Sequence, residues 1–174
     1  MPSLPGCRLV AERQLAQMVL ERPADDWADN WGTAEWRDLH DVDAPAMFDL
    51  ATSTKPGPWR ANSHRMGGFA GVHEGSRLIA MAGERMKLPG WTELSGVCTH
   101  PDARGRGLAT ALMGVVAGRA LARGERIFLH AFADNAGAIG LYERLGFRIR
   151  CEVTFTTWAR SSGDRSGSDR SGRD

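Results

Sequence analysis

The sequence predicts an α/β fold: a single domain with a mixed, mostly antiparallel central sheet flanked by helices. Three observations predict it. Residues 68–73 and 77–85 read as two strands separated by Glu74-Gly75-Ser76, a loop of hairpin length. Residues 91–113 join a strand to a helix: Leu94 and Val97 lie among small residues, and from Gly107 onward Leu108, Ala109, Leu112, Met113 and Val116 recur at three- and four-residue steps. After that helix the chain alternates, with a strand at 127–132, a helix at 135–145 and a strand at 147–158. Hairpins followed by crossover helices give a sheet of mixed direction.

In chain order, residues 1–6 form a loose lead-in with two prolines. Residues 8–20 fit either a helix face through Leu15, Met18 and Val19 or a short strand over 15–20, and we read a strand. Residues 23–32 are acidic (Asp25, Asp26, Asp29) and carry Trp27 and Trp31, which suits a surface loop or a partner contact. A first strand is expected at 34–39. A helix over about 44–53 follows, with Pro45 in its first turn, where a missing N–H costs little, and an apolar stripe of Ala46, Met47, Leu50 and Ala51. Residues 54–59 make a rigid Pro-Gly-Pro loop ending in Trp59, and residues 60–65 are polar and basic. Leu88-Pro89-Gly90 turns into the central strand, His100-Pro101-Asp102 stops that strand, and Arg123-Gly124-Glu125 ends the long helix. Residues 161–174 hold only Ser, Gly, Asp and Arg, so a disordered tail is expected. The domain plan is therefore an N-terminal extension at 1–33 with a candidate extra strand, a main α/β domain at 34–158, and a tail at 159–174.

Composition narrows the function. A chain of 174 residues, 42% hydrophobic, suits one ordinary core. A formal net charge of +1 argues against a nucleic-acid partner. Cys7, Cys98 and Cys151 are odd in number and have no metal-like spacing, which fits a reducing, cytoplasmic location. No apolar run approaches a membrane span, and no signal-peptide core opens the chain. His40, His64 and His73 are scattered and His130 reads as a strand residue, so no metal site is expected.

The junction at 104–109, Arg-Gly-Arg-Gly-Leu-Ala, carries the chemistry. A helix N-terminus presents unpaired N–H groups and partial positive charge. Gly105 and Gly107 let a phosphate approach the backbone, while Arg104 and Arg106 add charge. The same residues also suit an ordinary turn with two solvated arginines. No P-loop sequence occurs, and Thr110 stands where a dinucleotide fingerprint needs its third glycine.

Arg104-x-x-Gly107-x-Ala109 matches the Arg/Gln-x-x-Gly-x-Gly/Ala coenzyme-A motif of the GCN5-related N-acetyltransferases (GNAT). A second stretch, from Asp134 through Asn135, Ala138, Leu141, Tyr142, Leu145 and Gly146 to Phe147, is similar to their Asn-x-x-Ala-x-x-Leu-Tyr-x-x-Leu-Gly-Phe signature. With Cys98-Thr99-His100-Pro101 ahead of the first motif, the chain most resembles the FR47-like group of that superfamily over about residues 34–158. The resemblance implies a GNAT-like fold and acetyl-CoA as cosubstrate. It implies cofactor contacts from Val97, Cys98, Thr99, Arg104, Gly105, Arg106, Gly107, Leu108, Ala109, Asn135, Ala138 and Tyr142, with the 44–65 region beside the acceptor.

Transfer to an amine needs a base, because an ammonium cannot attack a thioester. Glu93, eleven residues before Arg104, stands where the glutamate base of such enzymes is found, and a surface carboxylate on a strand is the competing reading. Tyr142 matches their general acid toward the sulfur. Gly96 is consistent with a strand bulge that frees backbone donors for the thioester oxygen. Cys98, with His100 two residues on, keeps a covalent acetyl-cysteine route open. A catalytically silent CoA-binding regulatory module on the same fold is the alternative to an enzyme, and a nucleotide site built on Arg104 and Arg106 is a third reading. The acceptor is expected to be a small-molecule or protein amine, and a homodimer is left open.

Overall fold

The computed structural model describes residues 4–23 and 35–161. Seven strands and three helices follow one another: β1 (Cys7–Leu20), β2 (Trp36–Leu39), α1 (Ala44–Thr54), β3 (Phe69–Glu74), β4 (Arg77–Leu88), β5 (Trp91–Thr99), α2 (Leu108–Ala122), β6 (Arg126–Phe132), α3 (Ala136–Arg144) and β7 (Phe147–Arg160). They form one sheet in the order β2-β3-β4-β5-β6-β1-β7. Every pairing is antiparallel except β5 with β6. The expected acidic tryptophan segment and the Ser/Gly/Asp/Arg tail lie almost wholly outside the described residues.

The core forms on both faces of this sheet. α2 is apolar nearly all round, as a helix must be to lie in a core. Its Leu112, Met113, Val115 and Val116 are almost completely buried against Ile79, Leu94, Ile127 and Leu129. Each such side chain contributes about 1.5–3 kcal/mol on leaving water. α1 covers the opposite face, packing Met47, Leu50 and Ala51 on Leu39, Phe69, Leu78 and Met81.

Two features position the cleft. β5 pairs with β6 only through Trp91, Thr92 and Glu93 against Arg126, Ile127 and Phe128; beyond that no ladder joins them. On its other side β5 carries one extra residue: Met81 faces Cys98 and Gly83 faces Ser95, so two residues of β5 span what one spans on β4. The bulge falls on Gly96 and Val97, with Gly96 at φ 63°. A Cβ there would sit 2.8 Å from Phe69 and 3.1 Å from Trp59, so both backbone angle and space demand glycine.

The N-terminal strand is the main departure from expectation. It is fourteen residues long and lies inside the sheet, pairing with β6 through Leu15–Val19 and with β7 along nearly its whole length. Residues 7–20 thus complete the same sheet that the 34–158 segment begins. β7 likewise runs to Arg160, which pairs with Cys7, so residues 159–160 belong to the sheet and not to a tail.

Candidate functional site

Where β5 and β6 part, a cleft of about 590 Å³ opens, within the range of small-molecule sites. It is lined by the backbone after the bulge (Val97, Cys98, Thr99), the starts of α2 and α3, the loop after α1, and β6, β1 and β7.

The turn before α2 has the geometry expected of a phosphate cradle. Gly107 caps α2 at φ 73° and Gly105 lies at φ 76°, angles that L side chains rarely adopt. A Cβ at either would meet no atom within 4 Å, so the space above this backbone is open. A bulky anion can approach it, and the residues present fit a pyrophosphate-bearing group. Arg104 lines the cleft, its Nε donating to the Thr99 carbonyl at 3.4 Å, and Ala109 lines it as well. Arg106 instead turns to Glu74, 3.1 Å away. The Leu108 side chain is buried in the core, leaving only its backbone to offer. Asn135 caps α3 by accepting from the Ala138 N–H at 3.1 Å; both residues line the cleft, and so does Tyr142. Burial pushes the Tyr142 hydroxyl up, with a smaller push from Cys98, so it stays protonated at neutral pH.

Glu93 is only 1% exposed and is not a wall of the cleft. Arg85 grips it with Nε at 2.8 Å and Nη2 at 2.5 Å, and His130 Nδ1 donates to it at 2.8 Å. Burial pushes the carboxyl up, but the hydrogen bonds from His130 and Arg85 outweigh it, and the group sits below the ordinary glutamate value. Both partners do line the cleft. The row continues across the sheet. Gln17 Nε2 lies 3.1 Å from His130 Nε2, and Arg150 Nη1 donates to Gln17 Oε1 at 2.8 Å. Arg150 fixes the amide, so the Gln17 N–H donates to the ring, Nε2 is the acceptor, and Nδ1–H points at Glu93. Arg85, Glu93, His130, Gln17 and Arg150 thus link five neighbouring strands.

Cys98 lines the cleft, but burial pushes its thiol up to about 12, only partly offset by Thr54. His100 accepts the Asp102 N–H at Nδ1 and has Arg77 against Nε2, so it is spent on that turn. The pair that the covalent route requires is therefore not assembled. Trp59 stands edge-on to Phe69 at 5.5 Å and also borders the cleft, anchoring the loop and presenting a surface at once.

His130 was legible in principle: Glu93 faces Phe128 in the parallel register, and period-two alternation puts residue 130 on the same face. Arg85 and Gln17 carried no such signal, because their placing depends on which strands are neighbours. Among the described residues no group of three His, Cys, Asp or Glu could hold a metal, and no helix is long and apolar enough to cross a membrane.

Comparison with known proteins gives concordant results. The family described as FR47-like protein matches residues 69–158. A solved GNAT-family structure from Novosphingobium aromaticivorans is 43% identical, covers 93% of this chain and 71% of that one, and superposes with a TM-score of 0.82. An uncharacterised N-acetyltransferase of Methanocaldococcus jannaschii is 45% identical over 56 residues, 32% of this chain and 25% of that protein. An acetyltransferase of Pectobacterium atrosepticum is 45% identical over 49 residues, 28% of this chain and 35% of that protein. The chain thus spans about a quarter to a third of the curated relatives it matches.

Proposed function

The chain belongs to the FR47-like family of the GNAT superfamily, and on that premise we propose that it transfers acetyl from acetyl-CoA to an amine by direct attack in a ternary complex. The observation that carries this is that the backbone after the β5 bulge shares one cleft with Arg104 and Ala109, the two residues that bracket the open glycine turn before α2. The turn would take the pyrophosphate on N–H groups and Arg104. The backbone of Val97 to Thr99 would hold the thioester, its N–H groups placed for the oxygen that gains charge.

The acceptor enters as the neutral amine, its ammonium having released one proton to solvent, and after transfer the tyrosinate and the imidazolium return to their resting states by exchange with solvent. The amine nitrogen forms a bond to the acetyl carbon, the carbon–sulfur bond breaks, and Tyr142 gives its hydroxyl proton to the leaving sulfur. The amine's proton passes to His130 Nε2, displacing the Gln17 N–H now bonded there. Buried Glu93 balances the imidazolium, so it drives the proton transfer without touching the acceptor. A silent CoA-binding module would need the cradle alone; Tyr142 and the Glu93–His130 pair favour the enzyme.

Calorimetric titration with acetyl-CoA, with ATP and NAD as controls, tests the reading. Acetyl-CoA should bind selectively, and Gly107→Val should weaken it at least tenfold, since a left-handed β-branched residue is strained and fills the cradle. Equal binding of ATP would favour a nucleotide site, and absent acetyl-CoA binding would leave the motif as architecture only.

A further inference from the structure

We propose that the acceptor is a free α-amino acid with a bulky apolar side chain, its carboxylate read by Lys55; this rests on the acetyl-transfer reading above. The argument begins with charge. None of the described residues lining the cleft is an aspartate or glutamate, while Lys55, Arg85 and Arg104 all line it. Arg104 stands at the cradle end, and Arg85 is committed to Glu93. Lys55 remains: it is exposed, and its ammonium has no interaction among the described residues. A cleft walled this way disfavours acceptors bearing several ammonium groups and favours one whose single amine is matched by an anion.

The backbone at Lys55 is a second, independent sign. It ends α1 in the left-handed conformation, φ 51°, and is the one non-glycine residue with positive φ among the described residues. Glycine is the usual residue at such a helix end, and a side chain kept there against the local preference points to a use for it. The walls supply the rest of the specificity. Leu15 and Phe132 face each other across β1 and β6, Phe155 lies two residues beyond Val153, the β7 partner of Leu15, and Trp59 lines the same cleft. These four side chains form an apolar surface beside His130, which by the reading above takes the amine's proton.

The test compares L-phenylalanine, phenylalanine amide, phenethylamine, spermidine and a lysine-rich peptide as acceptors, by release of free thiol. Phenylalanine should have the highest kcat/KM. Lys55→Gly suits the backbone, so its melting temperature should not fall; its KM for phenylalanine should rise about three- to fivefold, as for a lost exposed ion pair, with that for phenethylamine unchanged. Trp59→Ala and Phe155→Ala should raise KM for phenylalanine about tenfold. A preference for spermidine or the lysine peptide overturns the proposal, as does an amide or phenethylamine used as well as phenylalanine. So does a Lys55→Gly variant that loses acetyl-CoA affinity instead. Acetyl-CoA titration separates the two levels: failure to bind it removes the acetyl-transfer reading, whereas binding without this acceptor order removes only the present inference.

Discussion

Glu93 decides how the proton chemistry is arranged, because a carboxylate almost fully buried and held by two donors cannot itself meet an acceptor. His130, with one nitrogen on Glu93, is placed to do so. His130→Gln keeps a polar side chain and should lower kcat on the order of 10²-fold, the usual contribution of a positioned base, with acetyl-CoA affinity unchanged. Glu93 also sets a stability term. Its carboxyl is held below its ordinary value, so its contribution is complete above that value and is lost as pH falls through the lower folded value. Glu93→Gln should therefore flatten the acid side of the melting-temperature curve, and at neutral pH should cost about 2–4 kcal/mol, because Arg85 is left partly buried without its counter-charge. Cys98→Ala should keep activity: with the thiol pushed up to about 12, roughly one molecule in 10⁵ carries a thiolate at pH 7. Loss of turnover in that variant would restore the covalent route.

At the scale of elements, β5 does two jobs that pull against each other, pairing in a sheet and freeing backbone for a ligand. The bulge reconciles them, and Gly96 makes it affordable. Gly96→Ala must accept φ 63° and push its methyl against Phe69 and Trp59. It should destabilise by about 1–3 kcal/mol and abolish acetyl-CoA binding, read by thermal unfolding and calorimetry; retained binding would mean that the donors lie elsewhere. This element was legible beforehand because its signals are local. A glycine marks a bulge, Arg104-x-x-Gly107 opens a helix, and Asn135 caps another, so strands and helices from residue 36 onward fall within a few residues of their expected places. What stayed illegible is what local signals cannot carry. Nothing local to Arg106 announces that the β3–β4 hairpin brings Glu74 to it, and nothing near Gln17 or Arg85 in sequence announces a shared hydrogen-bonded row.

For the whole molecule, the decisive fact is where the first strand goes. β1 is the first strand of the described residues yet lies between β6 and β7, the last two, so the sheet cannot close until residues 7–20 and 147–160 are both in place. Residues 8–20 fit a helix face as well as a short strand, and no pattern within one strand names its neighbours; the expected boundary at residue 34 therefore separates β1 from the sheet it completes. β1 also supplies Leu15 to the cleft and Gln17 to the proton row, tying the chain's start to its chemistry. Without β1, β7 would have no partner strand, β6 would lose one, and Met18, Leu20 and Ala16 would leave the core under α2. A chain starting at residue 34 should accordingly fail to unfold cooperatively and should lose amide protection throughout β6 and β7. Adding a peptide of residues 4–23 should restore both, since the strand brings its own hydrogen bonds and apolar face. Cooperative melting of the shortened chain within a few degrees of the full one would show that the sheet is stable from residue 34 onward, and β1 would then be an addition to the fold instead of a part of it.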